Sequence, residues 1–473
     1  MIPATTFAGR DVAIFGLGVS GVASARALTA GGANVFAWDD SASMREAAQA
    51  HRIGLHDLSS ADWSRFAALV LAPGIPLTHP APPHWTVVTA RDAGVEIIGD
   101  SELFFRERKA QGSQAKVVAI TGTNGKSTTT ALTAHILHEA GQRIALGGNI
   151  GKAVLDLEPF VDDVTYVLEL STFQIDLSPS LAADAAALIN ITPDHLDRHG
   201  TIENYAAIKA RIFSGLPRGG TAVVGVDDAL SRAIADDLPG SVNIRRVSIG
   251  EPLKTGVWVK DGRLIEVETG VELAHVDLVG IGSLRGAHNW QNAAVAYALA
   301  RSQGLDVASI ERGLRSFAGL AHRMEQVARL GKVLFVNDSK ATNADAAGKA
   351  LGSFSDIFWI VGGRAKSGGL AGLDALLPNV AHAYLIGEAA DAFAAQLEGK
   401  VETSISGTLA AAVAQAAMDA SRSRAKEPVV LLSPACASYD QFANFEARGH
   451  AFREIVLKLE GAERVDAAQG KAA

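Results

Sequence analysis

Cysteine is nearly absent from this chain: Cys436 is the only one in 473 residues. No intrachain disulfide can form, and nothing argues for an oxidising compartment. A large excess of either charge is lacking too. Lys plus Arg number 43 against 51 Asp plus Glu, a formal net charge of −8, with no basic cluster. That removes the electrostatic footing for a nucleic-acid partner or an anionic-membrane surface. No apolar run reaches the roughly 18 residues of a membrane-spanning helix, so membrane insertion is not expected. The opening MIPATTFAGRD lacks the basic-then-apolar layout of a signal peptide. A cytoplasmic location is the expectation.

Hydrophobic residues at 48% and charged residues at 20% fit a folded globular chain. At about 100–200 residues per domain, the length predicts roughly three domains. Apolar runs of strand length alternate with Ala-rich stretches of helical length, the rhythm of parallel α/β sheets. We divide the chain at 1–100, 101–319 and 320–473. The first block opens on DVAIFGLG and the second on KVVAI. Within the second, VWVKDGRLIEV alternates around Asp261-Gly262, which predicts a hairpin in a small antiparallel patch. In the third, KVLFVND, IFWIVGG, AYLIG and PVVLLSP each predict a buried strand. The tail GAERVDAAQGKAA has little apolar content and is expected to fray.

The most informative stretch is AITGTNGKSTTT, residues 119–130, between an apolar strand and a helical stretch. Glycines let backbone N–H groups turn toward an anion at a helix N-terminus. Lys126 supplies charge for the β- and γ-phosphates, and the Ser127 hydroxyl can ligate magnesium. A strict G-x-x-x-x-G-K-[ST] would need glycine at Ile120; here Gly122 begins a tighter variant. A plain strand-to-helix turn would need neither Lys126 nor Ser127. ATP binding is therefore expected, but kinases, ATPases and ligases all use such a loop.

GLGVSG, residues 16–21, follows the first strand, and Asp39 ends the next, NVFAWDD. Alone, this is the fingerprint of a dinucleotide site and invites a dehydrogenase reading. A hydride-transfer enzyme has no use for the ATP loop downstream, and the same geometry suits any pyrophosphate, including that of a UDP-sugar. Glu169 ends the apolar strand TYVLE, where an acid can reach magnesium beside a neighbouring phosphate loop; a solvent-facing strand-end acid is equally compatible. INITPDHLDRHG carries Asp194, His195, Asp197 and His199. The i, i+4 histidines could clamp zinc, but no cysteine is near and Asp197 replaces the glutamate of H-E-x-x-H.

These pieces, with LAPGIPLTHP, GGNIG, LELSTFQ, GAHNWQN, AHRME, NDSKATN, GGRAKSGG and LSPACASYDQFANFEARG, run through nearly the whole chain. In that order the set resembles the Mur ligase family. The resemblance implies three α/β domains: a Rossmann-like N-terminal domain for the UDP substrate, a central P-loop ATPase domain, and a Rossmann-like C-terminal domain for the incoming amino acid. It implies an ATP-dependent acid–amino-acid ligase forming ADP and phosphate, which adds D-glutamate to UDP-N-acetylmuramoyl-L-alanine in peptidoglycan synthesis, and a monomer. Gly122, Thr123, Asn124, Gly125, Lys126, Ser127 and Thr128 would cradle the triphosphate, with Asn289, Asn292, Arg323 and Asp338 as further ATP contacts. Ser127, Glu169, His195 and a carbamylated Lys209 would hold two magnesium ions. Val19, Ser20, Asp39, Asp40, Gly74 and Asn149 would face the UDP substrate. Thr342, Lys366, Ser438, Tyr439 and Phe445 would form the amino-acid pocket, and Lys340 would join Lys126, Glu169, His195 and Lys209 in catalysis. From spacing alone, Lys209 would be a helix-surface lysine beside Arg211. Cys436 has no role in such chemistry and is expected to be a packed core residue.

Overall fold

The structure, a computed structural model, describes residues 1–366 and 368–465. Ser367 and residues 466–473, most of the tail expected to fray, lie outside the described residues. Chain packing divides these into two compact units, one of residues 1–277 and 291–313, the other of 278–290 and 314 onward.

The first unit holds two sheets. The four-stranded one comprises β1 (Asp11–Phe15), β2 (Asn34–Trp38), β3 (Ala68–Leu71) and β4 (Glu96–Ile98), all parallel in the order β2-β1-β3-β4. Helices α1 (Val19–Ala30), α2 (Ala42–Ala50), α3 (Trp85–Asp92) and α4 (Asp100–Ala110) accompany it. The chain leaves β1 toward β2 on one side and returns to β3 on the other, so the glycine loop after β1 opens at the topological switch point. Gly21 is required there by close packing: a Cβ on it would lie 1.8 Å from the Gly16 carbonyl oxygen.

The second sheet has nine strands in the order β13-β12-β11-β10-β9-β8-β5-β7-β6. Its parallel part is β5 (Lys116–Thr121), β6 (Arg143–Gly148), β7 (Val164–Glu169), β8 (Ala185–Leu188), β9 (Thr221–Gly225), β10 (Asn243–Ser248) and β11 (Gly256–Lys260). Strands β12 (Arg263–Glu268) and β13 (Val271–Asp277) continue it antiparallel. The hairpin at Asp261-Gly262 forms as expected, with both residues at positive φ (49° and 78°) and Lys260 paired to Arg263. The expected antiparallel patch is the outer edge of the same sheet, joined through β10, because Val247 and Ser248 pair in parallel with Val257 and Trp258. Helices α5 (Lys126–Glu139), α6 (Thr172–Asp176), α7 (Leu196–His199), α8 (Ile202–Ala210) and α9 (Ala229–Asp237) belong to this part, followed by α10 (Ala287–Ser302) and α11 (Val307–Ser316).

The second unit carries a seven-stranded sheet, order β18-β17-β16-β19-β15-β14-β20. Its strands are β14 (Glu325–Leu330), β15 (Val333–Asn337), β16 (Ile357–Gly362), β17 (Val380–Ile386), β18 (Thr403–Gly407), β19 (Val429–Leu432) and β20 (Glu463–Arg464), with helices α12 (Ala344–Leu351), α13 (Ala390–Leu397), α14 (Leu409–Arg422) and α15 (Phe445–Leu457). β15, β16 and β19 are buried throughout, as their continuous apolar runs predict. The start of the tail departs from expectation. Glu463 and Arg464 pair with β14 through backbone hydrogen bonds, which polar side chains do not forbid at a sheet edge.

Candidate active site

The phosphate-type loop runs from the end of β5 into α5. Gly125 caps the helix at φ +82°, and a Cβ on it would fall 2.1 Å from Asn292 Oδ1. Only glycine fits both demands. The loop is held from behind: Asn190 accepts from Thr123 N–H with its carbonyl and from Asn124 N–H with Oδ1, each at 2.9 Å. The Thr123 hydroxyl donates to the Thr192 carbonyl at 3.1 Å, and Thr129 Oγ1 to Asn292 Oδ1 at 3.2 Å. Ser127 is buried in the first turn of α5 and Thr128 follows it, half-buried. Lys126 folds back, its ammonium donating to the carbonyls of Gly122 (3.0 Å) and Thr123 (2.8 Å).

Glu169 ends β7, next to the loop strand through the pairing of Ile120 with Glu169. Asn149 grips it twice, backbone N–H to the Glu169 carbonyl and Nδ2 to Oε1, both 2.8 Å. Its other oxygen, Oε2, is buried without a hydrogen-bond partner. Lys209 is not the surface residue that its spacing predicts. It is 1% exposed, donates to the Gly122 carbonyl at 2.7 Å and lies over the Tyr205 ring at 4.5 Å. Burial first, then the charge of Lys126, holds its pKa well below the ordinary lysine value, with Asp194 opposing.

His195 adopts a left-handed conformation (φ 52°) and stays half-exposed, its Nε2 3.5 Å from Asp194 Oδ2. His199 turns inward instead. Its Nε2 meets Thr172 Oγ1 at 3.0 Å, its ring stacks on Phe173, and burial pushes its pKa down to about 4. The pair therefore makes no zinc clamp; among the described residues no three His, Cys, Asp or Glu side chains gather to hold a metal.

On the N-terminal sheet Val19 is largely exposed and Ser20 half-buried at the start of α1. Asp39 spends its carboxylate on the chain itself, accepting from Leu17 N–H (2.7 Å) and Ser41 N–H (2.8 Å). Asp40 is the more open acid, near His84 and Trp85. The Gly74 carbonyl accepts from Arg198 Nη1 at 2.9 Å and the His79 carbonyl from Nε at 3.2 Å. Arg198 thus ties the Gly74 loop to the His195 loop. Sequence reading quoted both motifs and missed this residue, as it did Asn190; each lies inside NITPDHLDRH, but nothing in spacing singles them out.

In the second unit, Asp338 follows β15 and is buried, its Oδ2 accepting from Ser433 Oγ at 2.9 Å and Oδ1 from Met324 N–H at 3.2 Å. Burial pushes its pKa up to about 7 against those bonds and the Arg323 charge. Asn289 Nδ2 donates to the Arg285 carbonyl. Lys340 lies 3.9 Å over the Phe445 ring, and Thr342 N–H donates to the Lys340 carbonyl. Ser438 is buried after β19, whereas Tyr439 and Lys366 are exposed on their loops. Arg448, unmentioned by sequence reading, knits these strand ends together. It is fully buried and donates to Ser339 Oγ (3.0 Å), the Ser339 carbonyl (2.9 Å) and the Cys436 carbonyl (3.0 Å). Cys436 is buried as expected, its thiol pushed up to about 12.

A glycine loop ending in Lys-Ser at a helix start, beside a strand-end acid, defines a P-loop α/β protein built to act on nucleoside triphosphates. The comparisons carry this further. Residues 120–300 match the Mur ligase middle domain and residues 322–436 the Mur ligase glutamate ligase domain. A UDP-N-acetylmuramoylalanine–D-glutamate ligase of Nitrobacter hamburgensis is 57% identical over 463 residues, covering 98% of this chain and 99% of its own. The Brucella abortus protein of that name is also 57% identical, over 98% of each chain. Among solved structures, a UDP-N-acetylmuramate-alanine ligase of Thermotoga maritima superposes with a TM-score of 0.57 at 16% identity, covering 94% of this chain and 98% of that one. The chain belongs to the Mur ligase family.

Proposed function

We propose that this protein is an ATP-dependent ligase that adds D-glutamate to UDP-N-acetylmuramoyl-L-alanine, releasing ADP and phosphate, in cytoplasmic peptidoglycan precursor synthesis. The carrying observation is the convergence of Lys126 and Lys209 on the Gly122 carbonyl within a glycine loop, in a chain 57% identical to ligases of that name. No helix among the described residues is long and apolar enough to cross a membrane, as suits a substrate met in water. The domain division 1–100, 101–319 and 320–473 distributes the UDP substrate, ATP and glutamate over three parts, and the protein acts as a monomer.

A carboxylate resists attack by an amine because its leaving group would be oxide. In the reaction the substrate carboxylate oxygen attacks the γ-phosphorus, the bond to the β-phosphate oxygen breaks, and ADP leaves. The glutamate amine then attacks the acyl carbon, loses a proton, and inorganic phosphate departs. The loop 122–128 cradles the triphosphate, with the backbone N–H groups of residues 125–128 as donors because Asn190 holds those of Thr123 and Asn124, and Lys126 turns from the loop carbonyls to the phosphates. Asn289, Asn292, Arg323 and Asp338 complete the nucleotide site, and Thr342, Lys366, Ser438, Tyr439 and Phe445 hold glutamate with Lys340.

The site suits magnesium. The buried Glu169 Oε2 lacks any other partner, and a hard cation shared between one carboxylate and substrate phosphates needs no dense protein cluster. Ser127, Glu169, His195 and carbamylated Lys209 would hold two ions, which supply charge neutralisation on the phosphates when bound. Lys209 is suited to carbamylation because its surroundings favour the neutral amine: nitrogen bonds to carbon dioxide and a proton leaves to solvent.

Phosphate release measured with and without each co-substrate tests the reading. Strict dependence on UDP-N-acetylmuramoyl-L-alanine together with D-glutamate is expected, with L-glutamate as the stereochemical control. Release that needs neither would leave a nucleotide-driven switch in its place.

A further inference from the structure

Asp100 opens α4 and is 1% exposed. Its Oδ1 accepts from the Ser101 N–H at 2.8 Å and the Ser101 hydroxyl at 3.4 Å, while Oδ2 is buried and unpartnered. A buried carboxyl oxygen left so is costly and calls for a reason. The surroundings supply one. The start of α4 is anchored to the segment after α6: Gly99 N–H donates to the Leu177 carbonyl (2.9 Å), Ser178 Oγ to Ser101 Oγ (3.0 Å) and Ser180 N–H to Glu102 Oε2 (2.8 Å). Helix α4 also packs on α1.

Besides Ser101, the polar side chains near the Asp100 carboxyl include Ser20 of α1 and Gln174 of α6. Gln174 spends Oε1 on the Ser171 N–H and hydroxyl, which leaves its amide N–H groups for Asp100. Ser171 in turn lies two residues beyond Glu169. The carboxyl therefore stands between the first turn of α1 and the turn that follows the strand-end acid.

We propose that Asp100 is a positioning residue that sets the first turn of α1 against the Glu169 turn, and so holds that turn in place to bind the pyrophosphate of the UDP-linked substrate. The inference rests on the assignment of Val19 and Ser20 to that substrate. Burial raises the Asp100 pKa, and no charged side chain is among the groups that shift it.

Steady-state kinetics of Asp100→Leu and Asp100→Asn test this, with thermal melts to establish folding. Leucine fills the volume but removes the bridge: the KM for UDP-N-acetylmuramoyl-L-alanine should rise at least about tenfold, with kcat and the KM for ATP within about twofold. Asparagine keeps a donor and an acceptor and should stay within about threefold of wild type on all three. Gln174→Met cuts the same bridge from the α6 side, should also raise the UDP-substrate KM selectively, and decides the matter if the leucine variant does not fold. A folded leucine variant with unchanged KM, or one in which kcat and both KM values worsen together, overturns the proposal. A wild-type enzyme that does not turn over this substrate would instead remove the assignment beneath it.

Discussion

Lys126 and Lys209 donate to one acceptor, the Gly122 carbonyl oxygen, at 3.0 and 2.7 Å. Burial is the first cause that depresses the Lys209 pKa, and the charge of Lys126 beside it adds to the effect. The loop therefore sorts its lysines into two kinds. One is half-buried; the other is sealed in, its pKa held well below the ordinary lysine value.

Lys126→Ala should nearly abolish turnover and leave the thermal melt close to wild type, because this lysine's charge acts on phosphates and its hydrogen bonds go to loop carbonyls, not the core. Phosphate-release assays on the folded variant check it. Near-normal rates would remove this loop as the catalytic ATP site.

Asp338 should make stability depend on pH in an unusual direction. Its folded pKa of about 7 exceeds the ordinary 3.8, so between those values the folded chain keeps a proton that the unfolded chain has lost. Stability from this group is full below about pH 4 and declines as pH rises toward 7, by at most about 1.4 kcal/mol per pH unit. Asp338→Asn cannot ionise. Its melting temperature relative to wild type should climb between about pH 5 and pH 7; a constant offset would mean that Asp338 is charged throughout.

Much of this was legible in the sequence, for identifiable reasons. Fully apolar runs such as IFWIVG have one stable destination, the middle of a parallel sheet, and Asp-Gly at a hairpin meets a backbone demand few other pairs meet. Tertiary burial was not legible. Lys209 lies in NYAAIKARIF, which carries no hint that the lysine points inward, and the strand-end position of Asp39 says nothing about which N–H groups reach its carboxylate first. Arg448 and Asn190 act through backbone carbonyls and amides contributed by distant segments, and no local pattern encodes those.

Lys366→Ala should chiefly weaken glutamate. A charge-assisted contact is worth about 1.5–3 kcal/mol, roughly a 10- to 150-fold rise in the glutamate KM, with little change in that for ATP. The exposed position of Lys366 on the loop after β16 predicts no loss of stability. A fall in ATP affinity instead would reverse the division of labour assigned to this part of the chain.

Lys209 gives the sharpest prediction. A solvent-exposed lysine is neutral in only about one molecule in 2,500 at pH 7, too few for ready reaction with carbon dioxide. Burial against Tyr205 and the neighbouring charge of Lys126 shift that balance toward the amine. Carbamylation would convert that amine into a carboxylate-like anion, which a hard cation near Glu169 would prefer. Lys209→Ala should be largely inactive, and a small added carboxylic acid should restore part of the rate by occupying the space where the carbamate oxygens would lie. Lys209→Arg cannot be carbamylated and should stay poor with or without the acid. Mass spectrometry under carbon dioxide, with the alanine variant as control, reads the modification independently of turnover. Full activity of Lys209→Ala in carbon-dioxide-depleted buffer would leave the buried lysine a purely structural brace for the Gly122 carbonyl.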